Sequence, residues 1–82
     1  MEQQIFQQVV EILRPYVKSP SMLAQASMSS SLLGDLQVNS ARMVDVVLEM
    51  EDKFGIQVSD EAAGSVNTVG DAVQLVMSLK SA

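Results

Sequence analysis

Asn39-Ser40-Ala41-Arg42-Met43-Val44-Asp45-Val46-Val47-Leu48-Glu49-Met50-Glu51-Asp52-Lys53-Phe54-Gly55 is the most strongly patterned stretch of the chain. Met43, Val46, Val47, Met50 and Phe54 recur at intervals of three and four, the signature of one helix face turned to a core. The spacing predicts a helix over 40–53. Asn39 is a suitable N-cap, because its side-chain oxygen can accept from the free amides of a first turn. Gly55 stands where a left-handed residue ends a helix. Burying Phe54 would contribute roughly 1.5–3 kcal/mol. Just upstream, Leu33-Gly34-Asp35-Leu36-Gln37-Val38 reads as a turn that delivers Ser40 to the helix mouth. There the hydroxyl is expected to be exposed, beside the positive dipole end and near backbone donors that suit a phosphate.

Working outward, residues 2–17 carry a second helical pattern. Ile5, Val9 and Ile12 form one row, and Phe6, Val10, Leu13 and Val17 the adjacent one. Gln4, Gln7, Gln8, Glu11 and Arg14 fall on the other side. Pro15 lacks an amide proton and disfavours helix at Arg14, so an end or bend is expected there. A serine-rich connection from Lys18 to Asp35 follows. Leu23, Met28, Leu32, Leu33 and Leu36 should pack it back onto the core, with a short helical turn near Met22–Gln25. Beyond Gly55, Ile56 and Val58 alternate too briefly to specify a strand. Ser59-Asp60-Glu61 reads as the cap and first turn of a short helix with Ala62, Ala63 and Val66 inside. Gly64 weakens it by about 1 kcal/mol relative to alanine, which makes it the helix expected to be most mobile. Thr68-Val69-Gly70-Asp71 resembles a capping box. Val69, Ala72, Val73, Val76 and Leu79 then extend a last helix to Lys80, whose charge suits a C-terminal end.

Composition excludes several classes. The 82 residues suffice for one small domain, 1–82. Hydrophobic residues at 48% against 18% charged favour a packed core over disorder. There is no cysteine and no histidine, so disulfides, thiolate metal sites and the commonest general base are all absent. A self-sufficient hydrolase or a transition-metal site is not expected. Ser40 without a base is a poor nucleophile, and another enzyme would have to activate it. The net charge of −5 repels nucleic acid and favours basic protein partners. No apolar run approaches a membrane span, and Met1-Glu2-Gln3-Gln4 lacks the basic start of a secretory signal. A soluble, monomeric protein of the cytoplasm is expected.

Two surfaces flank Ser40. Asp45, Glu49 and Asp52 lie at i, i+4 and i+7 on one face, with Glu51 at its edge. Such rows usually mean a solvated face, but Glu51 and Asp52 sit in the last turn, where negative charge is mildly unfavourable. Ala41, Val44 and Leu48 form an apolar row alongside, either peripheral core or part of a transient interface. Arg42 places a cation in the first turn, against the dipole. Met43 and Met50 are flexible fillers, and with Phe6, Tyr16 and Phe54 the only aromatics, the interior is soft enough to admit an inserted chain. Asp35, Gln37 and Asn39 imitate a calcium loop, but Ser40 replaces its glycine and Val46 its last glutamate, so that reading is rejected.

The segment 33–56, with Val58-Ser59-Asp60-Glu61-Ala62 and Val66-Asn67-Thr68-Val69-Gly70-Asp71-Ala72-Val73 behind it, resembles an acyl carrier protein. The likeness runs from about Leu33 to Val76. In that family an Asp-Ser-Leu motif heads the second helix, and its serine receives 4′-phosphopantetheine from coenzyme A. Ser40 is the matching position. Asn39 stands where the family usually has aspartate and Ala41 where it usually has leucine, both where the modifying transferase would read the carrier.

The resemblance implies an all-α, four-helix bundle of acyl-carrier type, with three longer helices and one short one. It implies a shuttle and not an enzyme, with no metal, carrying acyl thioesters on an arm at Ser40. The pathway expected is fatty acid or specialised acyl-lipid synthesis. A polyketide or peptidyl carrier, or an unmodified acidic helical adaptor, is the alternative. The implied partners are a phosphopantetheinyl transferase and acyl-handling enzymes with basic docking patches. They would meet Asn39, Ala41, Val44, Asp45, Leu48, Glu49, Glu51 and Asp52.

Overall fold

The computed structural model describes residues 2–17 and 19–80. Expectations touching Met1 (the polar start), Lys18 (the first residue of the connection) and Ser81–Ala82 (the end of the single domain) lie outside the described residues. The order is α1 (Glu2–Leu13), α2 (Pro20–Ala24), a 3-10 turn (Ser40–Arg42), α3 (Met43–Phe54), α4 (Asp60–Gly64) and α5 (Val69–Lys80). The fold is all-α: three helices of twelve residues with short helices in the connections. An isolated bridge between Ser31 and Thr68 is the extended pairing among the described residues.

Helix α1 packs against α3 and α5, and α3 also meets α5. Ile5, Val9, Ile12 and Leu13 enter the core from α1, Val46, Met50 and Phe54 from α3, and Val69, Ala72, Val73 and Val76 from α5. Phe6, Val10, Met43 and Val47, from the expected inward stripes, are half-buried at its edge, and Leu79 of α5 is half-buried too. The first helix is four residues shorter than the pattern 2–17. Pro15 has no amide to continue the ladder, and Tyr16 and Val17 instead donate their amides to the Leu13 carbonyl at 2.8 and 3.1 Å.

The long connection is ordered by the core and by α5. Leu23, Leu32, Leu36 and Val38 are buried. Leu33 is not, contrary to expectation; it is 50% exposed. Asp35 Oδ2 accepts from the Ser31 amide at 2.8 Å and Ser31 Oγ from the Gly34 amide at 3.0 Å. That tight turn points Leu32 inward and leaves Leu33 outside. The Ser30 and Met28 carbonyls accept from the amides of Val69 and Gly70 at 3.0 and 2.7 Å, and Leu32 donates its amide to the Asn67 carbonyl at 2.9 Å. The connection thus satisfies first-turn donors of α5 that would otherwise be orphaned.

The capping box of α5 is reciprocal. Thr68 Oγ1 accepts from the Asp71 amide at 3.0 Å, and Asp71 Oδ2 accepts from Thr68 at 3.1 Å and Asn67 at 3.0 Å. Ser59 caps α4 by accepting from the Ala62 amide at 3.1 Å. Gly55, at φ 65°, ends α3 in the left-handed conformation. Lys80 does more than complement its own helix: its Nζ donates to the Phe54 carbonyl at the end of α3, at 3.4 Å.

Candidate functional site

The entrance to α3 differs from the continuous helix expected over 40–53. Asn39, with β-region angles, does cap it, but its Oδ1 accepts from the Ala41 amide at 2.8 Å. The Arg42 amide donates to the Asn39 carbonyl at 2.8 Å and the Met43 amide to the Ser40 carbonyl. These three-residue closures make the first turn 3-10 and not α. They also engage the amides of Ala41, Arg42 and Met43, so these three of the backbone donors expected to be open near Ser40 already have partners.

Ser40 itself is exposed, and its hydroxyl has no hydrogen-bond partner among the described residues. The loop that presents it is anchored by Leu36 and Val38, buried either side of Gln37. Gln37 takes φ 55°, an uncommon conformation for a long side chain. The Val38 amide donates to the Leu32 carbonyl at 2.8 Å. Ser40 is thus held by its neighbours' burial, with its own side chain free.

The candidate surface residues divide into two sets. Asp45, Glu49 and Asp52 lie towards α1. Arg42 Nη1 contacts Asp45 Oδ2 at 3.1 Å, so the cation against the dipole has a counterion three residues on. Glu49 and Asp52 share a groove of about 480 Å³ with Glu11, Ile12 and Lys53. Tyr16 joins this set: desolvation pushes its hydroxyl pKa up, the Glu49 and Asp45 carboxylates push it further, and Arg42 opposes them. No local pattern in the sequence links Tyr16 to α3; Pro15 turns the chain to bring it there.

The other set faces α4. Val44 and Leu48 are 65% and 55% exposed, and Ala41 is exposed too. A groove of about 300 Å³ runs between Val44, Val47 and Leu48 on one side and Asp60, Ala63 and Gly64 on the other. Glu51 lies on this side, away from the acidic row. Its Oε2 accepts from the Val58 amide at 2.7 Å, so the carboxylate holds the loop after α3. The core between α1, α3 and α5 encloses a void of about 10 Å³, lined by Val9, Leu13, Met43, Met50 and Leu75 among others. An inserted chain would have to part the helices.

Among the described residues no group of His, Cys, Asp or Glu could hold a metal ion, and no helix is long and apolar enough to cross a membrane. No family model matches the chain. Among solved structures, it is similar to the acyl carrier protein from Enterococcus faecalis, a protein described for structural components that contribute to its high thermal stability. The two share 30% identity over 96% of this chain and 98% of that one, with a TM-score of 0.78. The chain belongs to the acyl carrier protein family. It is a carrier protein and not an enzyme. In this carrier Ser40 opens the 3-10 turn that leads into α3.

Proposed function

We propose that Ser40 is the attachment point of 4′-phosphopantetheine and that the carrier ferries acyl thioesters on that arm between enzymes. The observation that supports this is the exposed, unpartnered hydroxyl at the head of α3. A transferase would bring the base that removes its proton, while the serine oxygen bonds to the phosphorus bearing the pantetheine and the pyrophosphate link of coenzyme A breaks, releasing adenosine 3′,5′-bisphosphate. The arm supplies the thiol that this cysteine-free chain lacks.

Docking would use Asp45, Glu49 and Asp52 as the charged row and Ala41, Val44 and Leu48 as the apolar one. Glu51 contributes less, because its carboxylate is engaged with Val58, and Asn39 acts chiefly as the cap. Exposed charges screened by salt suit fast arrival and fast departure, which a carrier visiting several enzymes needs. Fatty acid or a specialised acyl-lipid pathway in the cytoplasm is the setting we propose, with the carrier acting as a monomer. The deciding experiment is intact-mass spectrometry after incubation with coenzyme A and a broad-specificity transferase. A gain of one phosphopantetheinyl group, absent in Ser40→Ala at unchanged helicity, is the expected result. A chain that stays at its apo mass is an unmodified adaptor, and a gain retained in Ser40→Ala places the arm on another serine.

A further inference from the structure

We propose that Arg42 is the residue that holds the phosphate of the arm, and that loading draws its guanidinium from Asp45 to the phosphodiester on Ser40. The inference rests on Ser40 being the attachment point. Four observations carry it. First, the amides of Ala41, Arg42 and Met43 are already paired, so the backbone of this turn has few donors left for an anion. Second, Arg42 is the one cation in the segment 33–52. The other described cations lie elsewhere: Arg14 pairs with Glu11, Lys80 donates to the Phe54 carbonyl, and Lys53 lines the groove on the α1 side of α3.

Third, the existing pair is easily exchanged. It is a single nitrogen–oxygen contact of 3.1 Å between side chains that are 64% and 42% exposed, and such surface pairs are weak. A phosphate offers a guanidinium two parallel charge-assisted bonds in place of one. Fourth, the reach is short. Two residues of a 3-10 turn span only about 4 Å of axial rise, though about 240° around the axis, and the long arginine stem lets the guanidinium come round the helix mouth to an anion at Ser40. An anion at Ser40 would also offset the unfavourable placement of a cation in the first turn.

The exchange changes the face that partners meet. Asp45 is faced by Arg42 and by Tyr16, and Glu49 faces the same tyrosine. Once Arg42 turns away, Asp45 has no cation partner among the described residues, and it joins the acidic row of Glu49 and Asp52. The unloaded carrier that a transferase must recognise and the loaded carrier that acyl-handling enzymes must recognise then differ in charge pattern along α3. The device lies in one arginine and needs no change of fold.

The test is NMR on isotopically labelled protein before and after loading with coenzyme A and a broad-specificity transferase, with intact mass confirming the modification. On loading, the Arg42 Nε–Hε cross-peak and the Asp45 side-chain carboxyl resonance should both move. In Arg42→Gln, the loaded phosphorus resonance should differ from that of the loaded wild type, and the Asp45 carboxyl should move much less. A full mass gain with an unmoved Arg42 cross-peak, or with equal Asp45 shifts in wild type and Arg42→Gln, overturns the exchange but leaves the attachment intact. No mass gain overturns the attachment at Ser40 and the exchange with it.

Discussion

The Gly70 amide donates to the Met28 carbonyl across 2.7 Å, joining the connection that leads to Ser40 to the first turn of α5. The approach is so close that a Cβ on Gly70 would lie 2.7 Å from that carbonyl oxygen. The obstacle is backbone, which cannot rotate aside. Gly70→Ala should therefore destabilise the protein by about 1–3 kcal/mol. Chemical denaturation would measure it, and a midpoint equal to wild type would mean that the two segments separate without cost.

Asp71 gives the cap of α5 a pH signature. The amides of Asn67 and then Thr68 donate to its carboxylate and hold its pKa below the ordinary 3.8. A group whose folded pKa is depressed stabilises the fold above its unfolded pKa, and that stabilisation is lost as pH falls through the folded value. Thermal melts of the wild type should lose stability as pH falls below about 4. Asp71→Asn should melt lower at neutral pH and show a shallower acid limb. An unchanged acid limb would remove Asp71 from the account.

Glu51 and Glu49 are two residues apart and should behave oppositely. Glu51→Ala leaves the Val58 amide without its partner and should cost about 1–2 kcal/mol, with faster hydrogen exchange at Val58. Glu49→Ala should leave stability within about 0.5 kcal/mol. It should instead lower the Tyr16 pKa part of the way back towards its ordinary 10.0, since desolvation, the larger cause, remains. Ultraviolet titration of this single tyrosine reads that shift directly. Glu49→Ala should also weaken binding to a basic partner, with the deficit shrinking as salt is raised.

Helix α3 has a surface row and a core row of similar hydrophobicity. Val44→Ala and Leu48→Ala, at exposed positions, should change stability by no more than about 0.5 kcal/mol. Met50→Ala, at a position 2% exposed, should cost about 2–5 kcal/mol through lost burial and a cavity. Equal losses from both rows would mean that Val44 and Leu48 are covered in solution.

Much of this molecule is written locally. The three- and four-residue spacing on α1, α3 and α5 determined which faces turn inward, because burial of apolar side chains depends on helical period and little else. The caps at Asn39, Ser59 and Thr68–Asp71 and the stop at Gly55 were legible for the same reason: each bond closes within a few residues. So was the exposure of Ser40 ahead of α3, since the turn before it and the helix behind it mark that position.

Tertiary structure decided what depends on distant partners. The sequence could not tell that Lys80 reaches the Phe54 carbonyl, that Met28 meets Gly70, or that Tyr16 swings round Pro15 to the acids of α3. It placed Glu51 with the acidic row, whereas the Val58 amide draws it to the opposite side. It put Leu33 inside and left the amides beside Ser40 open, because a periodic pattern does not reveal how a turn spends its donors. Helical period is a property of neighbours along the chain, while the pairing of each donor and charge is settled only when the chain has folded.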